Sequence, residues 1–218
     1  MNRWTGAATL VLLMVIGTTP PLPAENPVST VPVLSDGDLS AWETRVFSGL
    51  TRYVRVELDG RTALKAVSDA AASGVYRNIR IDLEKMPILH WNWRVDNTLG
   101  DIDETGKGGD DYPARIYVVS SHPVFFWRTR ALTYVWSSAL PEGAVWPNAF
   151  AKNARMIAVR SGSSGLRRWH TEQRNVREDF QRFFGNDVRH IDAVALMTDT
   201  DNTGGRAVAY YGDIWFSP

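Results

Sequence analysis

Ten short segments in which apolar and polar residues alternate run through most of this 218-residue chain. Alternation at every second residue is typical of β-strands with one buried face. Turn residues separate the segments, as at Asp59-Gly60, where the spacing predicts a hairpin. The predicted strands are 42–47, 53–58, 63–68, 75–83, 88–95, 114–120, 132–137, 155–160, 191–197 and 208–216.

The stretch 167–184 is different, because its apolar residues have helical spacing in the second half and Gly185 follows as a stop. Those apolar residues are Trp169, Val176, Phe180, Phe183 and Phe184. Ten strands and one late helix predict an all-β protein, an antiparallel jelly-roll-type β-sandwich with one late α-helix.

The N-terminus has the features of a secretion signal. Arg3 supplies a positive charge, residues 7–16 are uncharged and apolar, and Ala24 is a small residue suited to cleavage. We therefore expect a signal peptide at 1–24, a lead-in at 25–41 and a single β-sandwich domain at 42–218. The mature protein would be periplasmic or secreted. The absence of Cys excludes lipoprotein acylation and a disulfide framework.

Charge and motifs exclude several classes of partner. Cleavage would remove one basic residue, Arg3, from 24 Lys and Arg and none of the 24 Asp and Glu, which leaves a net charge of −1. Such a balance favours neither nucleic acid nor an anionic membrane surface, and no membrane span remains after cleavage. No phosphate loop fits, and the four His have no ligand spacing, so no nucleotide, flavin, haem or zinc is expected. The oligomeric state stays open.

Two turns share the pattern Asp-x-Asp-x-Thr-Gly, at 101–106 and 199–204. Closely spaced carboxylate and hydroxyl oxygens suit calcium, so Asp101, Asp103, Asp199 and Asp201 are predicted ligands of a structural Ca²⁺. Neither turn is an EF-hand, because a Tyr stands where the bidentate Glu belongs. Turns stabilised by their own Asp side chains remain an alternative.

Strand parity predicts a polar face. In 88–95, Trp91 and Trp93 point to the apolar side, which suggests the core, and the polar residues point the other way. If strands 88–95 and 114–120 are paired, their polar residues line one ligand-binding face, with two acidic residues at its mouth and an aromatic ring for stacking. The predicted ligand-binding residues are His90, Asn92, Arg94, Asp110, Asp111, Arg115, Tyr117 and Trp136. An ordinary solvated face is the alternative.

Catalysis by carboxylates is a further hypothesis. Asp110 or Asp111 could act with Glu172 or Glu178 in glycoside cleavage, which needs an acid and a base facing each other across a cleft. No residue is assigned a catalytic role on sequence alone.

The segments LHWNWRVD, GDDYPARIYVV, RNVREDFQRFFG and TDTDNTGGRAVAYYGDIWF, in this order, are similar to the uncharacterised bacterial exported family called domain of unknown function 3047. The resemblance covers about residues 42–216 and implies a bacterial envelope protein. The ending AYYGDIWF also resembles the last strand of galactose-binding and carbohydrate-binding-module sandwiches.

Three functions remain open from the sequence. The first is binding of a glycan or other polar envelope ligand on a sheet face. The second is an enzyme that acts on a polysaccharide through Asp and Glu. The third is an envelope assembly subunit whose aromatic residues meet a protein partner.

Overall fold

The structure, a computed structural model, describes residues 30–121, 129–185 and 188–218. Within these ranges the chain forms thirteen strands, a 3-10 turn at Lys107–Gly109 and one α-helix. The strands are β1 (Val31–Leu34), β2 (Glu43–Ser48), β3 (Arg52–Leu58), β4 (Arg61–Asp69), β5 (Ala72–Asp82), β6 (Ile88–Val95), β7 (Ala114–Ser120), β8 (Arg130–Ser137), β9 (Val145–Pro147), β10 (Ala154–Ser161), β11 (His170–Asn175), β12 (His190–Asp199) and β13 (Arg206–Ser217), and α1 is Val176–Phe184.

The strands form two sheets. The six-stranded sheet has the order β11-β6-β13-β4-β3, with β1 also paired to β13. The seven-stranded sheet has the order β2-β5-β12-β7-β8-β10-β9. All pairs are antiparallel except β8 and β10, which are parallel. The prediction of an all-β, jelly-roll-type sandwich with one late helix is confirmed.

Aromatic rings fill the space between the sheets. Trp91 and Trp93 of β6 meet at 5.4 Å edge to face, and Trp91 stacks on Tyr134 of β8 at 5.4 Å. Trp93 lies 6.0 Å from Trp136 of β8. All four rings are fully buried. The alternating pattern of β6 and β8 therefore supplies the two halves of one core, and the prediction that the Trp pair is core is correct.

The helix is capped at both ends. The Asn175 side chain accepts a hydrogen bond from the Glu178 backbone N–H at 3.1 Å, and Gly185 closes the C-terminus with φ of 66°. Val176 and Phe180 are its fully buried apolar residues, and they join the main core. The predicted start in the second half of 167–184 and the stop at Gly185 are both correct.

Three strands lie outside the predicted set: β1, β9 and β11. β11 (HTEQRN) carries no apolar residue, so its sequence has no alternation to detect. β9 has three residues, and β1 lies in the segment that was assigned to the lead-in. No helix among the described residues is long and apolar enough to cross a membrane. The predicted signal peptide at 1–24 lies outside the described residues.

The predicted pairing of β6 with β7 is wrong. β6 pairs with β11 and β13, whereas β7 pairs with β12 and β8 in the other sheet. The segment 96–113 between them crosses from one sheet to the other and is not a hairpin. The polar residues of β6 and β7 therefore lie on opposite outer surfaces of the sandwich.

Candidate functional site

The outer face of the seven-stranded sheet has a floor of small side chains. Met197 and Asp199 of β12 pair with Gly74 and Ala72 of β5, and Ala195 pairs with Tyr117 of β7. A side chain at Gly74 would meet the Leu196 carbonyl oxygen at 2.9 Å, so the sheet has no room for one there. The small outward side chains leave space over the sheet, where Ala72 lines the main cavity and Gly74 and Ala195 line the one beside it.

This main cavity has a volume of about 380 Å³ and reaches from β2 to β10. It crosses five inter-strand spacings, or roughly 24 Å. Its polar lining residues are Asp110, Arg115, Tyr117, Asn148, Asp199, Asp201 and Asn202, and its apolar ones are Phe47, Ala72, Ala131, Phe150, Ala151, Ala154 and Met197. A neighbouring cavity of about 240 Å³ shares Phe47, Tyr117 and Met197 with it. The two cavities therefore adjoin, and both have volumes in or near the range of ligand pockets.

Two exposed phenyl rings line the main cavity. Phe47 is 63% exposed and Phe150 is 60% exposed. The pairing of β2 with β5 shifts register between Val46 and Ser48, which places Phe47 at a β-bulge. Phe47 is two residues after Arg45, which pairs with Gly74, and both line the neighbouring cavity, so strand alternation directs Phe47 to this face from an edge strand. Exposed aromatic rings beside a polar cavity suit the apolar faces of sugar rings.

Arg115 is the buried charge at the centre of this surface, with only 4% of its area exposed. Its Nη2 donates to the Asp199 carboxylate, and its Nη1 lies 3.6 Å from Asp110 Oδ2. The guanidinium also lies over the rings of Tyr112 and Tyr117, at 5.1 and 5.3 Å. Among the described residues, neither Nε nor Nη1 has a hydrogen-bond partner. Two donor nitrogens of a buried guanidinium that lines the cavity therefore lack a hydrogen-bond partner.

Burial opposes ionisation of the carboxyl groups of the cavity, and the neighbouring Arg115 favours it. Burial raises the pKa of Asp199 well above its ordinary value, and the neighbouring Asp111 and Asp110 add to this effect while Arg115 opposes it. Burial also raises the pKa of Asp110, again against the effect of Arg115. Burial alone would lower the pKa of Arg115, but Asp199 and Asp110 raise it, so the guanidinium stays charged.

Asp111 stabilises the turn 199–204 next to the cavity. Its carboxylate accepts from the backbone N–H and side-chain amide of Asn202 at 3.2 and 3.1 Å, and from the backbone N–H and hydroxyl of Thr203, both at 2.7 Å. These four bonds fix the turn 199–204. Asp111 does not line the main cavity, although it was among the predicted ligand-binding residues.

Three carboxylates, Asp111, Asp199 and Asp201, offer oxygen atoms that all lie within 4.8 Å of one another. This buried acidic triad could bind a metal ion. It contains the two predicted ligands of the second turn but neither Asp101 nor Asp103. Asp103 instead accepts from the backbone N–H and hydroxyl of Thr105 at 3.1 and 2.6 Å, within its own turn. Identical turn patterns therefore have different surroundings.

The other predicted ligand-binding residues lie elsewhere. His90 stacks on Trp215 at 5.0 Å, Asn92 accepts from Thr171, and Arg94 pairs with Asp59 and Asp96, all in the six-stranded sheet or its loops. The Trp136 ring is fully buried in the core, so the prediction that it stacks on a ligand is wrong. Of the predicted set, Asp110, Arg115 and Tyr117 are brought together at the main cavity.

The predicted catalytic pairing is wrong as well. Glu172 is hydrogen-bonded by Arg160 at 2.5 Å and by the Trp93 indole at 3.2 Å, so it is held at the core side of β11. Neither Glu172 nor Glu178 lines the cavity that contains Asp110. The carboxyl groups that the structure does bring to one cavity are those of Asp110, Asp199 and Asp201.

Sequence reasoning missed Phe47, Asn148, Phe150 and the small floor residues. The floor had a signal, because Ala72, Gly74 and Ala195 occupy alternate outward positions, where a solvated face would carry long polar side chains. Phe47 had none, because every residue of β2 is exposed and its sequence does not distinguish a cavity-facing side from a core-facing side.

The fold and this cavity define a β-sandwich protein with a ligand-sized site on one open sheet face. The chain belongs to the family described as "Protein of unknown function (DUF3047)", whose model matches residues 40–215. The resemblance found in the sequence motifs is thereby confirmed. A search of curated proteins finds no sequence that matches this chain.

Solved structures with a similar fold include the family 30 carbohydrate-binding module of a cellulosomal cellulase from Clostridium thermocellum. Its TM-score is 0.50 at 10% identity, with 87% of this chain and 97% of that chain covered. The endoglucanase Cel12A of Rhodothermus marinus also has a TM-score of 0.50 at 10% identity, with 88% and 98% covered. At these identities the similarity shows the fold alone.

The glycoside hydrolase domain of Endo-D from Streptococcus pneumoniae is another match, with a TM-score of 0.41 and 16% identity. It covers 81% of this chain, which spans only 21% of that chain's length.

Proposed function

We propose that this protein is an exported bacterial glycan-binding protein whose ligand lies on the outer face of the seven-stranded sheet. The observation that carries the proposal is the main cavity with Arg115 at its centre, where Nε and Nη1 have no hydrogen-bond partner among the described residues. A buried, charged side chain that lines a cavity of ligand size and has unpartnered donors needs an acceptor.

A sugar provides that acceptor and matches the rest of the lining. Its hydroxyls can accept from Arg115 and the Asn148 amide and donate to the Asp110 carboxyl group, while its apolar ring face can pack on Phe47 or Phe150. The shared fold with a carbohydrate-binding module supports the same class of ligand, as analogy only. The signal-like N-terminus supports a periplasmic or secreted location, where envelope glycans are found.

The experiment is a glycan array probed with the purified mature protein, followed by calorimetry on each hit. Phe47→Ala should weaken binding at least several-fold without loss of folding, because the ring is exposed and lies outside the core. Leu50→Ala is the matched control, since Leu50 is 69% exposed but lines neither cavity. Absence of binding to every glycan would overturn the proposal and favour the assembly-subunit alternative.

A second candidate is cleavage of the bound polysaccharide. The observation in its favour is that Asp110 and Asp199 both line the cavity and both have a raised pKa, as a general acid requires. Release of reducing ends from a bound glycan, lost in Asp110→Asn, would establish the enzyme. Binding without release of reducing ends would support the binding function and not the enzyme.

For the acidic triad we propose Ca²⁺ as the metal, because its donors are all carboxylate oxygens. Asp111 already accepts four hydrogen bonds and Asp199 is paired with Arg115, so the ion would have to share these oxygens and would bind weakly. Millimolar calcium should raise the melting temperature, and chelation should reverse the increase. At a hundredfold excess of calcium over its Kd, the free energy of unfolding would rise by about 2.7 kcal/mol. An unchanged melting temperature would mean that hydrogen bonds and Arg115 alone hold the triad.

A further inference from the structure

In the absence of a bound cation, the main cavity has an uneven charge distribution. Its charged lining residues, among those described, are three acidic ones, Asp110, Asp199 and Asp201, and one basic one, Arg115. The charge of Arg115 is already used, because Nη2 is bound to Asp199 and Nη1 lies 3.6 Å from Asp110. What the guanidinium still offers is hydrogen-bond donors and no uncompensated positive charge.

We infer that this cavity selects uncharged, hydroxyl-rich sugar residues and rejects sugars that carry a carboxylate or a sulfate. The inference rests on the proposed function and names its ligand class. A hydroxyl can accept from Arg115 Nε and donate to a carboxyl oxygen of Asp110 or Asp199. An anionic group can only accept, so it would satisfy Arg115 while lying against three acidic side chains.

Lys107 and Arg45 are cations near this surface that do not line the main cavity. Lys107 Nζ lies 5.4 Å from the Phe150 ring, and the Arg45 guanidinium lies 5.9 Å from the Phe47 ring and lines the neighbouring cavity. Both side chains are exposed. Salt near the physiological concentration of about 0.15 M screens such exposed charges much more than buried ones. The buried carboxyl groups therefore decide the preference under those conditions.

The test compares ligands that differ only in charge. Calorimetry at about 0.15 M salt uses oligogalacturonate and oligomannuronate, each beside the same oligosaccharide after reduction of its carboxyl groups to neutral alcohols. We expect at least one neutral form to bind about tenfold or more tightly than its acidic parent. Asp110→Asn, which removes one negative charge and keeps the side-chain shape, should narrow that ratio.

Asp213→Asn is the matched control, because Asp213 is exposed and lines a cavity on the opposite side of the sandwich. It should leave the ratio unchanged. Equal or tighter binding of an acidic form overturns this inference and leaves the proposed function standing. The inference is also overturned if Asp110→Asn leaves the ratio of neutral to acidic affinity unchanged. Failure of all four probes and of every array glycan overturns both.

Discussion

Replacement of Arg115 by Met should destabilise the protein in a way that depends on pH. Arg115 is 4% exposed and its partner Asp199 is 1% exposed, so the variant leaves a buried carboxyl group without its cation. Removal of one partner from a buried ion pair typically costs about 3–5 kcal/mol. We expect a loss of this size near pH 8.

The loss should shrink in acid. The folded-state pKa of Asp199 is already raised by burial, and loss of Arg115 removes the main group that opposes that effect. A carboxyl group with a raised folded-state pKa stabilises the fold below its unfolded pKa of about 3.9, and that stability is lost as pH rises through the folded pKa. Each pH unit in that window contributes up to about 1.4 kcal/mol, so Arg115→Met should be closest to wild type near pH 4.

Urea denaturation of wild type and variant at about pH 4 and pH 8 measures this difference. Arg115→Met with Asp199→Asn should recover part of the loss at the higher pH, because an amide needs no cation. The matched control is Arg80→Met, which breaks an exposed pair with Asp192 in the same sheet and should cost less than about 1 kcal/mol. A loss from Arg115→Met that is the same at both pH values would refute the reasoning.

Asn175→Ala should cost about 1 kcal/mol in thermal or urea denaturation, because the Glu178 N–H loses its cap, whereas Asn175→Asp should retain most of the stability. Trp91→Ala should cost about 3–5 kcal/mol, and a loss below about 2 kcal/mol would show that the sheets close over the gap. Burial raises the pKa of Glu104, which is hydrogen-bonded by Ser137, so its contribution to stability is lost as pH rises. The melting temperature of Glu104→Gln should therefore fall less than that of wild type between about pH 4 and pH 8. An equal fall in both proteins would contradict this.

Residue alternation predicted which side chains of a strand face the core, but it did not predict which strands are paired. The pattern of β6 correctly separated Trp91 and Trp93 from His90 and Arg94, because side-chain direction is a local property of a strand. Which strand pairs with β6 depends on contacts far apart in sequence, and β13, its partner, is more than a hundred residues away. The predicted face that joined β6 with β7 failed for this reason.

The candidate site shows the same limit. Asp110, Arg115 and Tyr117 were found because they are close in sequence to one strand start. Asn148 and Phe150 reach the cavity from the loop between β9 and β10, and nothing local in that loop predicts a site. The two Asp-x-Asp-x-Thr-Gly turns differ in their surroundings because Asp111 and Arg115 contact one of them, which no pattern within a turn can reveal.

The bulge at Phe47 has a consequence for how copies of this protein meet. β2 is an edge strand with every residue exposed, including Val46 and Phe47, and a straight strand of this composition would offer its free backbone groups to a second copy. The irregular register at Phe47 interrupts the regular row of donors and acceptors, and a bulge increases the local twist, so both work against such pairing. A deletion that restored a regular register would therefore make the β2 edge a better template for aggregation.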